Sequence, residues 1–312
     1  IMDVTVLIST FNNSKRLRIT LEAFLKCYIP ERPKLKWELV LVNNNCSDDT
    51  EEVINEYKNY LPIVCVKEPI QGLSRARNAG LRAASGNLVI FTDDDVTPCK
   101  EWISIYWCAY LDSPTGYFWG GPIESEFEGE KPDEELLYYA PPSVQGLDFG
   151  NIQKIIESDE LFVSANWSCP KKILLEVGGF DESLGLNAFS SKKTCGEESD
   201  LMLRLKTKGF KGFYLPEAKI KHFVPKSKCT IQHIGNRIEK SALSNPIYFY
   251  SDKRFPRLFG IPISLYLKLI ITLGFLFIFS PIKKIRLSNY FRFKRLKGRF
   301  IGYAFFHKQK IK

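Results

Sequence analysis

The segment Leu88-Val-Ile-Phe-Thr-Asp93-Asp94-Asp95 joins a short apolar run to three consecutive carboxylates. An apolar run of this length indicates a strand that is buried on both faces, as in a parallel sheet. Side chains alternate between faces along an extended chain, so we expect Asp93 and Asp95 to point one way and Asp94 the other. A solvated acidic turn, with Asp95 capping a following helix, is the alternative. Paired carboxylates at the carboxyl edge of a sheet, where open α/β sheets bind ligands, favour a site for a hard divalent cation.

Strand and helix patterns alternate on the N-terminal side of this segment. Such alternation predicts an α/β fold with a doubly wound, mostly parallel sheet. Beyond Tyr110 the alternation weakens, and Gly and Pro pairs between Gly120 and Pro142 predict loops. A second block, residues 161–222, is expected to add further strands and helices. The predicted strands are 4–8, 37–42, 61–66 and 88–91, and the predicted helices are 14–28, one that begins after Ser47 or Asp48, and 74–85.

Composition limits the class of protein. The 312 residues are 45% hydrophobic, which is enough to bury a full core. Eight cysteines are scattered without a C-x-x-C pair, and the first residues do not resemble a secretory signal, so a reducing, cytoplasmic compartment is expected. The net charge of +9 is unevenly spread, because no acidic residue follows Asp252 whereas 15 of the 44 Lys and Arg residues do. An apolar and basic C-terminus indicates an anionic membrane surface as a partner, rather than nucleic acid.

Four polar segments follow the predicted strands in order. In a parallel sheet, the loops at the carboxyl ends of the strands converge on one edge, so these segments are expected to lie together. They would supply acceptors for a nucleobase, cations for phosphate and carboxylates for a metal. The segments are Ser9-Thr-Phe-Asn12, Asn43-Asn-Asn45, Gly72-Leu-Ser-Arg-Ala-Arg-Asn-Ala-Gly80 and Asp93-Asp-Asp95.

These motifs resemble those of family 2 inverting glycosyltransferases of the GT-A fold. Further matches are Ser164-Ala-Asn-Trp-Ser-Cys-Pro170, Val177-Gly-Gly-Phe-Asp181 and Gly196-Glu-Glu-Ser-Asp-Leu201. The resemblance implies a Rossmann-like, mixed and mostly parallel central sheet flanked by helices, a nucleotide-diphospho-sugar donor, and Mn²⁺ or Mg²⁺. The Gln-x-x-Arg-Trp motif of the family's processive membrane synthases does not occur after His222, which favours transfer of a single sugar.

The resemblance also implies roles for individual residues. Thr10 and Phe11 would flank the nucleotide base, and Arg77 would approach the nucleotide or its phosphates. Asn43 stands where the family usually has an aspartate that contacts the base, and an amide would recognise a different base edge or several. Asp93 and Asp95 match the ends of the Asp-x-Asp motif that holds the cation against the diphosphate. The residues expected to bind the nucleotide-sugar are Ser9, Thr10, Phe11, Asn43, Asn45, Arg77, Asp93 and Asp94.

The pair Glu197-Glu198 is the second acidic site. Inverting transfer needs a base that removes the proton of the acceptor hydroxyl as the nucleotide diphosphate leaves. The family places a carboxylate here, commonly as Glu-Asp with the second acid as the base. Glu198 is therefore the expected base, and Glu197 is the alternative. The pair could instead only stabilise the N-terminus of the next helix through its dipole.

Four further residues are candidates. His222 follows a strand pattern and is a candidate third metal ligand, although an isolated histidine is more often structural. Asn166, Trp167 and Gly179 are the expected acceptor-binding residues, with Trp167 stacking on a sugar. The alternative for Trp167 is a half-buried position in the core.

The C-terminal segment, residues 256–312, is expected to associate with a membrane. Residues 261–280 are apolar over about the length that spans a bilayer, although Lys268 interrupts them. The aromatic and basic residues that follow are typical of interfacial anchors. Helices in the cytoplasmic leaflet are favoured over one C-terminal span, and a hairpin that covers the catalytic domain is the third alternative. The remaining residues, 1–255, would form the catalytic domain, with a nucleotide-sugar half (1–110) and an acceptor half (111–255).

These patterns together predict an enzyme that transfers one sugar, with inversion, to a saccharide or lipid-linked acceptor at the cytoplasmic face of the membrane. Surface polysaccharide or glycolipid assembly is the expected setting. A catalytically silent nucleotide-sugar-binding or membrane-binding module is the main rival, and it is disfavoured because both acidic sites are present. A dehydrogenase is disfavoured because no G-x-G-x-x-G follows the first strand.

Overall fold

A computed structural model describes residues 2–31, 34–113, 115–184, 196–244, 256–278 and 283–311. Contacts within the chain define two units. The first lies within residues 1–126, 146–192 and 197–223, and the second within 127–145, 193–196 and 224–312. The predicted domain boundary at residue 255 lies outside the described residues, and the domain division stays a prediction.

The described strands are short and most belong to the first unit. They are β1 (Met2–Thr10), β2 (Trp37–Asn43), β3 (Ile63–Lys67), β4 (Gly86–Thr92), β5 (Val96–Pro98), β6 (Tyr117–Gly120), β7 (Ile123–Phe127), β8 (Lys154–Ile155), β9 (Trp167–Pro170), β10 (Lys211–Tyr214), β11 (Ile220–Val224), β12 (Arg257–Leu258) and β13 (Ile261–Pro262).

The described helices alternate with these strands in the first half of the chain and dominate its end. They are α1 (Ser14–Phe24), α2 (Thr50–Tyr57), α3 (Leu73–Ala83), α4 (Trp102–Asp112), α5 (Glu134–Leu137), α6 (Pro142–Gln145), α7 (Lys171–Glu176), α8 (Glu197–Thr207), a 3₁₀ turn (Lys226–Cys229), α9 (Ile231–Ser244), α10 (Ile263–Ile278) and α11 (Lys283–Ile311).

Eight strands form the central sheet, in the order β3-β2-β1-β4-β9-β6-β10-β8. β1 pairs in parallel with β2 and β4, and β2 pairs in parallel with β3. β9 runs antiparallel to its neighbours β4 and β6, whereas β6 and β10 are parallel. The sheet is therefore mixed, and its N-terminal part is parallel, which confirms the predicted fold class.

The central strands carry apolar side chains on both faces, and helices cover both faces of the sheet. On β1, Val4, Val6 and Ile8 lie in the cluster that includes α1, α2 and α4, whereas Leu7 lies in the cluster that includes α3. α3 approaches the sheet closely at Gly80, where a Cβ would lie 2.8 Å from Cδ1 of Leu7. The close packing fixes α3, and with it the functional side chains that this helix holds.

A second, three-stranded sheet of order β5-β11-β7 adjoins the acidic segment. β11 runs antiparallel to β5, with His222 opposite Val96. Residues 93–95 form the turn that links β4 of the central sheet to β5 of the second sheet. The pairing of β11 with β5 therefore brings His222 to the carboxyl end of β4.

The second unit contains the C-terminal helices. α9 packs on α11 through Ile234 and Phe291, and Nζ of Lys294 donates to Oε2 of Glu239 at 2.7 Å. α10 packs on α11, where Leu265 and Leu296 are buried in one cluster. Within the described residues, no helix combines the length and the apolar character needed to cross a membrane. Residues 279 and 280, the end of the predicted apolar run, lie outside the described part of the chain.

Candidate active site

Asp94 stabilises the acidic turn from within. Its Oδ2 accepts a hydrogen bond from Oγ1 of Thr10 at 2.6 Å, and its Oδ1 accepts one from Nδ2 of Asn13 at 2.7 Å. Burial, and then the nearby charge of Asp95, raise the pKa of Asp94 to about 7. Both carboxyl oxygens of Asp94 thus have partners inside the protein. This side chain supports the turn, and its expected binding of the nucleotide-sugar stays a prediction.

Asp93 and Asp95 converge with His222. One ligand atom from each of the three side chains lies within 4.8 Å of the others. His222 is 6% exposed, and its Nε2 is 3.2 Å from Oδ1 of Asp95. The backbone N–H of Phe223 donates to the carbonyl of Asp95 at 2.9 Å, which holds β11 against the turn. Two carboxylates and one imidazole fit a divalent cation such as Mn²⁺, since carboxylate oxygens suit hard cations and a neutral imidazole adds a nitrogen ligand.

Arg77 lies between the acidic turn and α8. It is 3% exposed, and its Nη1 donates to Oε1 of Glu197 at 3.0 Å while its Nη2 lies 3.4 Å from Oδ1 of Asp93. The ring of Phe180 lies 5.5 Å from the guanidinium carbon. In this structure the guanidinium is therefore engaged by two carboxylates, and the expected approach of Arg77 to the nucleotide or its phosphates stays a prediction.

Glu197 and Glu198 begin α8 and have different surroundings. Glu197 is buried and forms the ion pair with Arg77. Glu198 is half-buried. Burial and the charge of Glu197 raise the pKa of Glu198, and Arg77 partly opposes that increase. A carboxylate with a raised pKa is suited to accept a proton near neutral pH, whereas Glu197 is neutralised by a fixed guanidinium. The ion pair of Glu197 leaves Glu198 better suited to the expected role of base, and that role stays a prediction.

The residues expected around the nucleotide base lie at the carboxyl ends of β1 and β2. Phe11 is 36% exposed, and Oγ of Ser9 is buried and has no hydrogen-bond partner among the described residues. Oδ1 of Asn43 accepts from the backbone N–H of Cys46 at 2.9 Å. Asn45 is exposed and has a φ of 61°, a left-handed conformation that asparagine tolerates better than most residues. Together with Thr10, whose hydroxyl is bound to Asp94, these residues lie on strand ends that adjoin in the sheet.

Trp167 and Asn166 belong to the core. Trp167 is 0% exposed and stacks on Phe91 with ring centroids 4.7 Å apart. Asn166 is also 0% exposed; its Oδ1 accepts from Nε1 of Trp102 and the hydroxyl of Tyr106, and its Nδ2 donates to two backbone carbonyls. Neither side chain has surface to offer a sugar. The structure corrects the predicted acceptor contacts of both residues and gives them a packing role.

Gly179 lies in a turn that two polar side chains hold. Its φ is 66°, and a Cβ at this position would lie 2.8 Å from Oδ1 of Asn78. Asn78 exchanges two hydrogen bonds with the backbone of Phe180, and Arg204 donates to the carbonyls of Val177 and Gly179. Gly179 is therefore required for the turn that places Phe180 beside Arg77, and its contact with an acceptor stays a prediction.

Two supporting residues, Thr20 and Asn44, were given no role from the sequence. Oγ1 of Thr20 is bonded to the backbone of Asp94 and Val96, so α1 fixes the acidic turn. Asn44 ties the loop before α3, since its side chain bonds the backbone of Glu68, Ile70 and Gly72. A polar residue on the apolar face of a predicted helix, as Thr20 is beside Leu17 and Leu21, is the pattern that could have identified such positions.

The comparison with known families agrees with this geometry. Residues 5–145 match the model of the glycosyl transferase family 2. Residues 5–145 therefore belong to a family 2 glycosyltransferase domain. The matched residues include the three strand ends and the acidic turn described above.

Two curated relatives of the family 2 domain act on different substrates. Glucosyl-dolichyl phosphate glucuronosyltransferase of Haloferax volcanii is 24% identical over 189 residues, which are 59% of this chain and 58% of that protein. Pre-mycofactocin glycosyltransferase of Mycobacterium tuberculosis is 30% identical over 224 residues, 70% of this chain and 42% of that protein. The chain thus spans less than two thirds of the length of either relative.

Solved structures show the fold of the family 2 domain. A mannosyltransferase, PcManGT from Pyrobaculum calidifontis, solved with GDP-Man and Mn²⁺, superimposes with a TM-score of 0.59 at 16% identity over 96% of this chain and 86% of that one. TarS of S. aureus gives a TM-score of 0.55 at 16% identity, over 96% of this chain and 54% of that one. The fold is of the GT-A type.

Proposed function

We propose that the protein transfers a single sugar from a nucleotide-diphospho-sugar to an acceptor hydroxyl, with inversion and with a divalent cation. The observation that carries the proposal is the placement of two acidic sites at one sheet edge, linked by Arg77. One site has the donor set for a cation and the other has a carboxylate suited to act as a base. The family match is consistent with nucleotide-sugar chemistry.

The metal would be held by Asp93, Asp95 and His222. A bound Mn²⁺ or Mg²⁺ supplies positive charge that stabilises the leaving diphosphate. The turn that positions these ligands is preformed, because Thr10, Asn13 and Thr20 bond to Asp94 and its neighbours. Little reorganisation of the ligands is then needed when the cation binds.

Glu198 would remove the proton of the acceptor hydroxyl. As that oxygen forms its bond to the anomeric carbon, the bond from this carbon to the diphosphate oxygen breaks, and the electron pair leaves with the diphosphate. Attack from the side opposite the leaving group inverts the anomeric configuration. Only a deprotonated carboxylate can accept the proton, so the raised pKa of Glu198 makes the rate increase with pH.

The acceptor is proposed to be lipid-linked or to lie close to a membrane, at its cytoplasmic face. In the second unit, Leu265 of α10 faces the cluster shared with α11, whereas Leu267, Ile270 and Ile271 are 57%, 66% and 52% exposed. The neighbouring helix α11 carries several exposed basic side chains: Arg286, Arg292, Arg295 and Arg299, and also Lys297, which pairs with Glu239 at 2.9 Å. An exposed apolar helix face with basic residues nearby is suited to the interface of an anionic bilayer.

A donor screen tests the proposal. Purified protein is incubated with individual nucleotide-sugars, and nucleoside diphosphate release is measured with Mn²⁺ and with excess chelator. We expect one donor or a few to support release that requires the cation. Stoichiometric nucleotide binding with no release from any donor, in the presence of a membrane extract as acceptor source, would favour the silent binding module.

A further inference from the structure

The two acidic sites are joined by one buried cation. Arg77 of α3 contacts Glu197 at 3.0 Å and Asp93 at 3.4 Å, and both Arg77 and Glu197 are almost completely buried, at 3% and 4% exposure. A guanidinium remains charged at every pH at which the protein is folded. Its positive charge is shared between the two carboxylates that it contacts. Any change at Asp93 therefore alters the electrostatic environment of Glu197.

Glu198 responds to the same charges. Burial is the largest cause of the raised pKa of Glu198; the charge of Glu197, its neighbour on α8, raises this pKa further, and the charge of Arg77 on α3 lowers it. The other charged pair of this helix is Asp200 and Arg204, with Nε of Arg204 2.8 Å from Oδ2 of Asp200. On top of the effect of burial, the balance between Glu197 and Arg77 thus changes how readily Glu198 loses its proton.

We propose that Arg77 is a positioning residue that couples occupancy of the cation site to the charge state of Glu198. This inference rests on the proposed function and adds an order of events to it: the cation binds before Glu198 can act as the base. A divalent cation bound to Asp93 competes with the guanidinium for the same carboxylate. The positive charge of Arg77 is then directed towards Glu197, which weakens the repulsion that Glu197 exerts on a deprotonated Glu198. The base becomes competent only when the cation, and with it the donor diphosphate, is in place.

The coupling predicts that protons are released when the cation binds. Protons released per Mn²⁺ bound are measured by isothermal titration calorimetry, near neutral pH, in buffers of different ionisation enthalpy. Wild-type protein should release more protons than Glu198→Gln, because Glu198 contributes to the release only where it can titrate. Protons lost by the metal ligands are common to both proteins and cancel in the comparison.

Arg77→Met and Arg77→Lys identify the residue responsible. In the Arg77→Met background, proton release should be the same with glutamate or glutamine at position 198. In the Arg77→Lys background, part of the difference caused by Glu198→Gln should remain. The matched control is Arg75→Met. Arg75 lies on the same helix and pairs with Glu182 at the surface, so the difference in proton release should persist in this background. Circular dichroism checks that each variant is folded, and Arg77→Lys replaces Arg77→Met if the latter is not.

The outcomes separate this inference from the proposed function. Mn²⁺ binding with equal proton release by wild type and Glu198→Gln would overturn the coupling and leave the glycosyltransferase proposal in place. A difference that survives Arg77→Met, or that Arg77→Lys does not reduce, would show that another group transmits the effect. If wild-type protein binds no Mn²⁺, both the coupling and the metal-dependent mechanism are wrong.

Discussion

Replacing Asn166 with alanine should strongly destabilise the protein, because Asn166 forms hydrogen bonds with four buried polar groups at once. The groups are Nε1 of Trp102 at 2.9 Å, the hydroxyl of Tyr106 at 2.8 Å, and the carbonyls of Pro122 at 2.9 Å and Ala218 at 2.7 Å. A buried donor or acceptor left without a partner costs about 1–3 kcal/mol. The carbonyl of Pro122 also accepts from the N–H of Ile220 at 3.2 Å, so three groups lose their partner, which amounts to a loss of at least about 3 kcal/mol of the roughly 5–15 kcal/mol that stabilises a typical domain.

Urea unfolding followed by tryptophan fluorescence measures this loss. Asn166→Asp is an informative companion variant, since it keeps the acceptors for Trp102 and Tyr106 but not the two donors, and it should be destabilised as well. Asn55→Ala is the matched control, because Asn55 is exposed on α2 and its side chain bonds only to a surface lysine among the hydrogen bonds described. An Asn166→Ala protein as stable as wild type, but with weaker acceptor binding, would refute the packing role and restore the acceptor role.

Three further predictions concern the two acidic sites and the C-terminal helices. Asp95→Asn should lose cation-dependent nucleotide release, because a neutral amide is a poor ligand for a hard cation; full activity in that variant would exclude the metal assignment. Glu198→Gln should bind nucleotide normally but turn over about 10²–10⁴-fold more slowly, and the rate of wild type should rise with pH as Glu198 loses its proton; a larger defect in Glu197→Gln would move the base by one residue. Ile270→Glu should weaken co-sedimentation with anionic vesicles. The control is Tyr60→Glu, which changes a large side chain of the first unit that is 73% exposed, against 66% for Ile270; equal loss in both would argue against α10 as the contact surface.

The sequence alone predicted the features of the fold and site that a local pattern of residues determines. The apolar run before Asp93 forms a strand buried on both faces, and the strand ends of β1, β2 and β4 adjoin at one edge of the sheet. Asp93 and Asp95 lie on the same side, as predicted, but for a different reason. Residues 93–95 form a turn rather than an extended strand, and Asp94 is drawn back by Thr10 and Asn13.

Other features depend on contacts between distant parts of the chain. β9 inserts antiparallel between β4 and β6, which buries Trp167 and Asn166 in the sheet. The loop-like motif around these residues contains nothing that distinguishes a buried tryptophan from an exposed one. Likewise, the partner of Arg77 on α3 is Glu197 on α8, and no spacing along the sequence relates the two residues. Resemblance to a family located Arg77, but only the packing of α3 and α8 gives its contacts.

The anomeric configuration of the released sugar tests the central claim most directly. Once a donor is identified, wild-type protein is allowed to hydrolyse it, with water in place of the acceptor, and proton NMR records the free sugar before its anomers equilibrate. An inverting mechanism with Glu198 as the base predicts that an α-linked donor gives the β-anomer first, and that Glu198→Gln gives almost none. Release of the α-anomer first, or an unchanged rate in Glu198→Gln, would contradict the account.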